Sequence, residues 1–519
     1  MRNGFAQLHV VARRGSSIDR LVVAALAASV LVTHDVGRML SQSFWTDEGW
    51  VAVTTRYPLG DLARVTSSTP IGLSFLLRLV PFGGPERMRL VPLAFAAGAV
   101  VAGYTLARGL RWPNRWASVG AGFGAAYVVL MSPAMLVRND LKQYTADAAL
   151  ALIVLTLTSR VEKDWSRRNL GLLTGAIVGG MLFSHTTAFV GVAAFVALIA
   201  TQALRRAWRT CLETSAAAAA AALGMAVVYE AWDARAVVPG LTDYWRPYYL
   251  PVGTGFGHFF TLRWKEIHEY LGLGPLWLAV PLVLAGVATI TRLGRPATAL
   301  AIGVLFVEMP VVSMLHRYPY LDVRTSTFLL VVSEVVAAIG VVGIGVAVRR
   351  WLRVWGAVGL AVAAVVALTI GSARFARTQT VPLENVAQQV DYVNTHRAPG
   401  DVIVVNGAST FSFAYYWRPD QPTIEPSRQS VQKYLNGYPR QPGIVMIDGR
   451  TCAAVSGGLA TGLRQIAAVP GTKLWLIRTH VNTNEAACWY QALAGRSPTV
   501  VPNGPPGLVL VYDAIDAGY

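Results

Sequence analysis

The chain has 519 residues, of which 54% are hydrophobic and only 14% charged. Soluble domains carry about a quarter charged residues, so this composition excludes an ordinary soluble protein and points to a membrane one. The formal net charge of +17 invites a nucleic-acid reading. The bases, however, recur as short clusters between apolar runs, the pattern of membrane topology and of contact with anionic lipid or phosphate, and nucleic-acid binding is rejected.

The basic start (Arg2, Arg13, Arg14, Arg20) leads into Leu21–Val32, which ends at His34-Asp35 without a small-residue cleavage site and reads as a retained helix. The run Ser43-Phe44-Trp45-Thr46-Asp47-Glu48-Gly49-Trp50 follows, placing two carboxylates where a membrane helix meets water. Carboxylates at a membrane boundary, flanked by tryptophans, are costly to desolvate and mark a candidate functional site. Runs able to span the ~30 Å hydrocarbon core are expected near 20–39, 87–109, 117–133, 144–160, 170–184, 187–204, 211–231, 275–291, 297–315, 326–348 and 353–371, about eleven in all. With the N-terminus inside, the cytoplasmic turns Arg108–Arg115, Arg160–Arg168, Arg205–Arg209, Arg292–Arg295 and Arg349–Arg353 are all basic, although the outer loops carry Arg and Lys too. An odd number of spans leaves 40–86, 232–274 and 372–519 together on the outer face. In the first of these, Pro70–Leu79 is too short to span and amphipathic, so it is expected to lie in the interface.

Residues 1–371 thus form a transmembrane unit and 372–519 a small extracytoplasmic α/β domain. Helical spacing over Glu384–Arg397 stops at Pro399-Gly400, and strand-like runs at Asp401–Val405, Gly443–Ile447, Lys473–Ile477 and Leu508–Tyr512 alternate with helical stretches at 456–469 and 482–494. That alternation suggests a largely parallel sheet. Cys452 and Cys488 fall here, on an oxidising side where a disulfide is open to them, whereas Cys211 is expected to be cytoplasmic.

Four polar constellations are expected at one membrane surface: Asp47-Glu48; Arg138-Asn139-Asp140-Leu141-Lys142-Gln143-Tyr144 with Asp147; Ser184-His185-Thr186-Thr187; and His316-Arg317-Tyr318-Pro319-Tyr320-Leu321-Asp322-Val323-Arg324. Over residues 18–371 the chain resembles the GT-C fold glycosyltransferases, specifically the bacterial polyprenyl-phosphate-sugar-dependent ones related to protein O-mannosyltransferases and the lipid A aminoarabinose transferase. The resemblance rests on Trp45-x-Asp47-Glu48 after the first span, Thr69-Pro70 before an amphipathic helix, and Glu86-Arg87-Met88-Arg89-Leu90 opening the second span. It continues in Leu141-Lys142-Gln143-Tyr144-x-x-Asp147, Ser184-His185-Thr186 and Tyr318-Pro319-Tyr320-x-x-x-Arg324.

The resemblance implies hexosyl or pentosyl transfer, usually inverting, from a polyprenyl-phosphate-linked sugar to an envelope glycan, lipid or protein hydroxyl at the outer face of a bacterial inner membrane. It implies Asp47 as general base, with Glu48 orienting the acceptor or helping to hold a metal. Arg324, Lys142 and Arg138 would receive the donor phosphate, and Tyr144, Asp147, His185 and Tyr318 would line the substrate. Duller roles stay open: a helix N-terminal charge for the dyad, snorkelling for Lys142 and Arg138, lipid contact for Arg324, and a packed turn histidine for His185. No histidine spacing makes a protein-only zinc site. Asp47, Glu48, Asp147 and His185 could ligate a divalent ion, and the sequence does not decide whether one is used. The alternative from another class is a transporter or flippase for lipid-linked sugars, for which Glu308 beside Pro310 and Glu334 are the best support.

Overall fold

Long apolar stretches without water must satisfy every backbone group internally, and this chain does so with helices. The structure is a computed structural model. It describes residues 19–34, 36–60, 62, 69–80, 85–137, 140–234, 243–273, 275–348, 369–372, 374–375, 384–417, 442–447, 449–466, 471–494, 496, 498–501 and 504–511. Numbering only the main helices, α1 covers 19–33, α2 Thr46–Thr54, α3 Ile71–Arg78, α4 Leu90–Arg108 and α5 Arg115–Leu130. Then come α6 Tyr144–Lys163, α7 Arg167–Met181, α8 Thr187–Leu204 and α9 Trp208–Val228, which runs on into a π turn at Tyr229–Asp233. After α10 (Phe256–Ile267) follow α11 Leu276–Arg292, α12 Pro296–Met314 and α13 Thr327–Val348.

Six of the described helices are long and apolar enough to cross a membrane: Glu86–Arg108, Tyr144–Lys163, Thr187–Leu204, Trp208–Asp233, Pro296–Met314 and Thr327–Val348. The expected runs at 117–133, 170–184 and 275–291 are helical but shorter, with 16, 15 and 17 residues. At 1.5 Å per residue such helices reach only about 25 Å. Capping explains two of the starts: the side chain of Asn114 accepts the Ala117 amide, and that of Ser166 accepts the Asn169 amide. The expected span at 353–371 lies almost wholly outside the described residues.

α4, α5, α6, α8, α12 and α13 share one apolar core, in which Ala99, Ala125, Leu152, Val190, Leu305 and Val335 are buried. α11 and α13 cross closely at glycines. A Cβ on Gly286 would meet the Val336 carbonyl oxygen at 2.0 Å, and one on Gly340 the Leu282 carbonyl oxygen at 2.4 Å. The intramembrane Glu334 accepts the Gly272 amide at 3.0 Å, fastening the loop after α10 to α13.

The C-terminal segment is a three-layer α/β unit. Its helices are α14 (Val386–His396), α15 (Thr410–Trp417), α16 (Cys452–Ile466) and α17 (Thr483–Leu493); its strands are β1 (Val402–Asn406), β2 (Ile444–Ile447), β3 (Leu474–Ile477), β4 (Thr499–Val500) and β5 (Val509–Val511). Strand order is β2-β1-β3-β5-β4. β1 pairs in parallel with β2 and β3, while β5 runs antiparallel to β3 and β4, so the sheet is mixed rather than largely parallel. Side-chain alternation assigns the faces. Val402 and Val404 of β1 pack towards α16 and α17, and Ile403 and Val405 towards α14 and α15. A disulfide joins Cys452 to Cys488, tying α16 to α17.

This unit does not float beside the helices. Phe411, Ala414 and Tyr415 of α15 share a second core with Phe44, Trp50 and Val53 around α2 and with Leu73 and Leu77 of α3. The backbones approach closely at Gly49, where a Cβ would run into Ser412, 2.6 Å from its backbone N and 2.8 Å from its Cα. Backbone cannot step aside as a flexible side chain can. Gly49→Ala should therefore cost about 1–3 kcal/mol through overpacking, read as a lower unfolding midpoint in detergent, with α15 amides losing hydrogen-exchange protection before those of α6.

Candidate functional site

The segment before α2 is fixed by one arginine. Arg89, at the foot of α4, donates from Nε to Glu48 Oε1 (2.7 Å) and from Nη2 to Glu48 Oε2 (2.5 Å). Its remaining donors reach the carbonyls of Met39 (2.5 Å), Gln42 (2.7 Å) and Ser43 (3.0 Å). Glu48 is buried and also accepts the Trp45 amide at 3.3 Å. Burial pushes the Glu48 carboxyl above its usual range, against the attraction of Arg89. Glu48 is thus held in a buried ion pair.

Asp47, one residue earlier, points elsewhere. Its Oδ2 lies 3.3 Å from Arg324 Nη1, part of the loop between α12 and α13. Arg324 also donates from Nη2 to Tyr244 Oη (2.9 Å), and its guanidinium carbon lies 5.3 Å from the centre of the Trp245 ring. Asp322 shapes this loop. Its Oδ2 accepts the amides of Arg324 (3.1 Å) and Thr325 (3.0 Å) and sits 3.8 Å from Arg324 Nε. Lys142 is buried, with its Nζ 4.5 Å from the centre of the Trp50 ring, one turn along α2 from Asp47. Burial pushes the Lys142 ammonium below its ordinary value; Asp47 and Asp140 oppose this, and Arg324 adds to it. Tyr144 is buried within the same field of Arg324, Asp140 and Asp47.

Deeper in, at the first turn of α6, Asp147 is buried. The hydroxyls of Ser184 and Thr186 stand beside it, hydrogen-bonded to each other at 2.9 Å. His185 Nε2 lies 3.3 Å from Asp233 Oδ1, in the π turn that ends α9. Tyr318 donates to the Thr325 carbonyl at 3.3 Å and meets Phe189 edge-on. Burial pushes its phenol well above the usual value, with Asp147 and Asp322 adding to the effect.

The structure therefore gathers Asp47, Lys142, Tyr144 and Arg324 from three distant stretches. Asp147, His185 and Tyr318 form a neighbouring polar layer, and Glu48 faces away towards Arg89. Arg138 lies outside the described residues. Among those described, no group of three or more His, Cys, Asp and Glu stands close enough to hold a metal ion. Sequence reasoning assigned no role to Arg89, Trp50, Tyr244, Trp245, Asp322 or Asp233. Of these, Arg89 stood within Glu86-Arg87-Met88-Arg89, Trp50 beside the acidic dyad and Asp322 within the His316–Arg324 constellation, and Tyr244 and Trp245 belong to an aromatic run, Tyr244-Trp245-Arg246-Pro247-Tyr248-Tyr249.

Around this site the chemistry is simple to state. One carboxylate is paired with a guanidinium beside a buried ammonium, and aromatic faces frame both cations. Such a set can accept a proton and hold an anion within a few ångströms.

No family model matches the chain, and no curated protein matches it. Solved structures do. ArnT from Cupriavidus metallidurans bound to undecaprenyl phosphate superposes with a TM-score of 0.52 at 15% identity, covering 96% of this chain and 99% of that one. The same protein in its apo state gives 0.52 at 13% identity, over 96% and 98%. The apo oligosaccharyltransferase of Archaeoglobus fulgidus gives 0.51 at 11% identity, covering 88% of this chain and 69% of that one. Identities this low speak for the fold alone, and the fold is that of the GT-C glycosyltransferases.

Proposed function

We propose that the protein is an integral-membrane glycosyltransferase that moves a hexosyl or pentosyl group from a polyprenyl-phosphate donor to an envelope hydroxyl, with inversion. The observation that carries this reading is the Asp47–Arg324 pair at 3.3 Å with Lys142 beside it. Inverting transfer needs one base and one anion clamp. The acceptor oxygen attacks C1, its proton passes to Asp47, and the C1–O bond to phosphate breaks with its electron pair leaving on polyprenyl phosphate. Arg324 and Lys142 stabilise that charge, so no proton donor is needed for the leaving group. The incoming phosphate competes with Asp47 for Arg324, which frees the carboxylate to act as base. Tyr144 and Tyr318 flank the sugar or prenyl chain, and Asp147 with His185 supplies polar partners for sugar hydroxyls. The undecaprenyl phosphate held by ArnT, which has the same fold, supports a lipid-phosphate donor here.

On this reading the protein resides in a bacterial inner membrane, with the site and the C-terminal unit outside the cytoplasm. The Cys452–Cys488 disulfide supports that side, since disulfides persist in oxidising compartments. Envelope glycans, lipids or secreted proteins are the acceptors, reached where the C-terminal unit meets α2.

Turnover is read as undecaprenyl phosphate released from a panel of undecaprenyl-phosphate sugars by protein in nanodiscs. Asp47→Asn should lower it by about 10²–10⁴-fold, as loss of a general base does, while the protein still inserts. Arg324→Ala should raise the donor KM and lower kcat, with a combined loss of about 10²-fold or more. Full activity in Asp47→Asn would sink the mechanism. Lys142 adds a pH test. Its ammonium is depressed in the folded protein, so it sheds its proton at lower pH than a free lysine. Affinity for undecaprenyl phosphate should therefore weaken on the alkaline side before the ordinary lysine value of about 10.4 is reached. Lys142→Arg should move that limb to higher pH.

A further inference from the structure

The first turn of α2 has amides that no helical carbonyl can satisfy, and the C-terminal unit supplies a partner for the first of them. The Thr46 amide donates to Glu384 Oε2 at 2.9 Å, across 338 positions of sequence. The other oxygen of Glu384 lies 3.1 Å from His480 Nδ1, and the Glu384 side chain is only 3% exposed. The same unit grips the neighbouring positions. Thr46 Oγ1 donates to the Ala408 carbonyl (2.7 Å), the Phe44 amide to Tyr416 Oη (2.8 Å), and Ser412 Oγ to the Phe44 carbonyl (3.0 Å).

His480 is itself held under constraint. Its φ of +49° lies in the left-handed region, rarely taken by a residue with a side chain. It follows Arg478-Thr479 at the carboxyl end of β3, and that loop is pinned to the carboxyl end of β1. Asn406 Nδ2 donates to the Thr479 carbonyl (3.0 Å) and to Glu485 Oε1 (2.9 Å), while Ser409 and Thr479 share a hydroxyl bond of 2.8 Å. The carboxyl ends of parallel strands are where α/β sheets place functional groups. Strain that the surroundings over-determine is a mark of function rather than of filler.

We propose that Glu384 and His480 are positioning residues for Asp47: the carboxylate caps the helix that carries the base, and the imidazole orients the carboxylate. The C-terminal unit is then a working part of the catalytic turn, and a cover or acceptor platform only in addition. Glu384 at a helix N-terminus also favours the local dipole. The inference rests on the reading of Asp47 as base, and the experiment separates the two.

Full-length protein in nanodiscs is assayed with the same panel of undecaprenyl-phosphate sugars. Glu384→Ala should lower kcat by about 10–10²-fold, the cost of a misplaced catalytic group, while the donor KM stays within about twofold. Glu384→Gln keeps an oxygen for the Thr46 amide and should recover most of the loss. His480→Ala should lower kcat in the same way, and His480→Asn, which can still direct an N–H at Glu384, should restore it. A merely structural role would lower folded yield and unfolding midpoint without this split between kcat and KM or this rescue. An inactive Asp47→Asn beside fully active Glu384→Ala and His480→Ala overturns the inference and leaves the base intact. An active Asp47→Asn overturns both.

Discussion

The ion pair between Arg89 and Glu48 is the constraint from which the rest of the site follows. Two charges withdrawn from water are tolerated only when nearly every remaining hydrogen-bonding position is filled. Here Arg89 spends two donors on Glu48 and the others on the carbonyls of Met39, Gln42 and Ser43. The chain between the first helix and α2 therefore has one path. Successive residues on a helix point about 100° apart, so turning Glu48 inward sends Asp47 outward to Arg324. The acidic dyad is divided: Glu48 builds the turn with Arg89, and Asp47 is turned to Arg324.

A second consequence is that no single part of the chain owns the site. α2 brings Asp47 and Trp50, the stretch before α6 brings Lys142, and the loop before α13 brings Arg324. The aromatic run at Tyr244-Trp245 covers the guanidinium, and the C-terminal sheet fastens the first turn of α2. Aromatic faces beside cations do two jobs. They attract the charge through the ring quadrupole, and they exclude water; Trp245 takes no donor of Arg324, whereas Tyr244 Oη accepts one.

Much of the scaffold could be read from hydropathy, because a membrane leaves the backbone few choices. Every expected run between 20 and 348 is helical over most of its length. Helix bounds were less legible: the N-caps Asn114 and Ser166 start α5 and α7 ahead of the apolar runs expected at 117–133 and 170–184, and the helices stop short of those runs at Leu130 and Met181. In the C-terminal unit the longer strands announced themselves as Val- and Ile-rich runs. β4 has two residues and no pattern to offer, and α15 was masked by aromatic composition: Phe411-Ser412-Phe413-Ala414-Tyr415-Tyr416-Trp417 favours a strand in isolation. Packing against α2 and the sheet decides its helical state, and that is tertiary information. The same holds at the site. Asp47, Lys142 and Arg324 stood out as charges at a membrane boundary, whereas Glu384 and His480 belong to a distant segment with no motif, and only the fold brings them to Thr46.

Charge is balanced within the site. Arg324 and Lys142 face Asp47, Asp140 and Asp322, so carboxylates of the chain itself match both cations. Asp322 is held by the amides of Arg324 and Thr325, whereas the Asp47–Arg324 contact is a single 3.3 Å approach without a bidentate fork. On the proposed function, this is the pair that an arriving phosphate exchanges. Phosphate offers Arg324 a better acceptor and gives buried Lys142 a full counter-charge, which offsets its desolvation. On the proposed reading, donor binding and release of the base are then one event. A carboxylate set free only when the phosphate is in place cannot deprotonate an acceptor that has no sugar to attack.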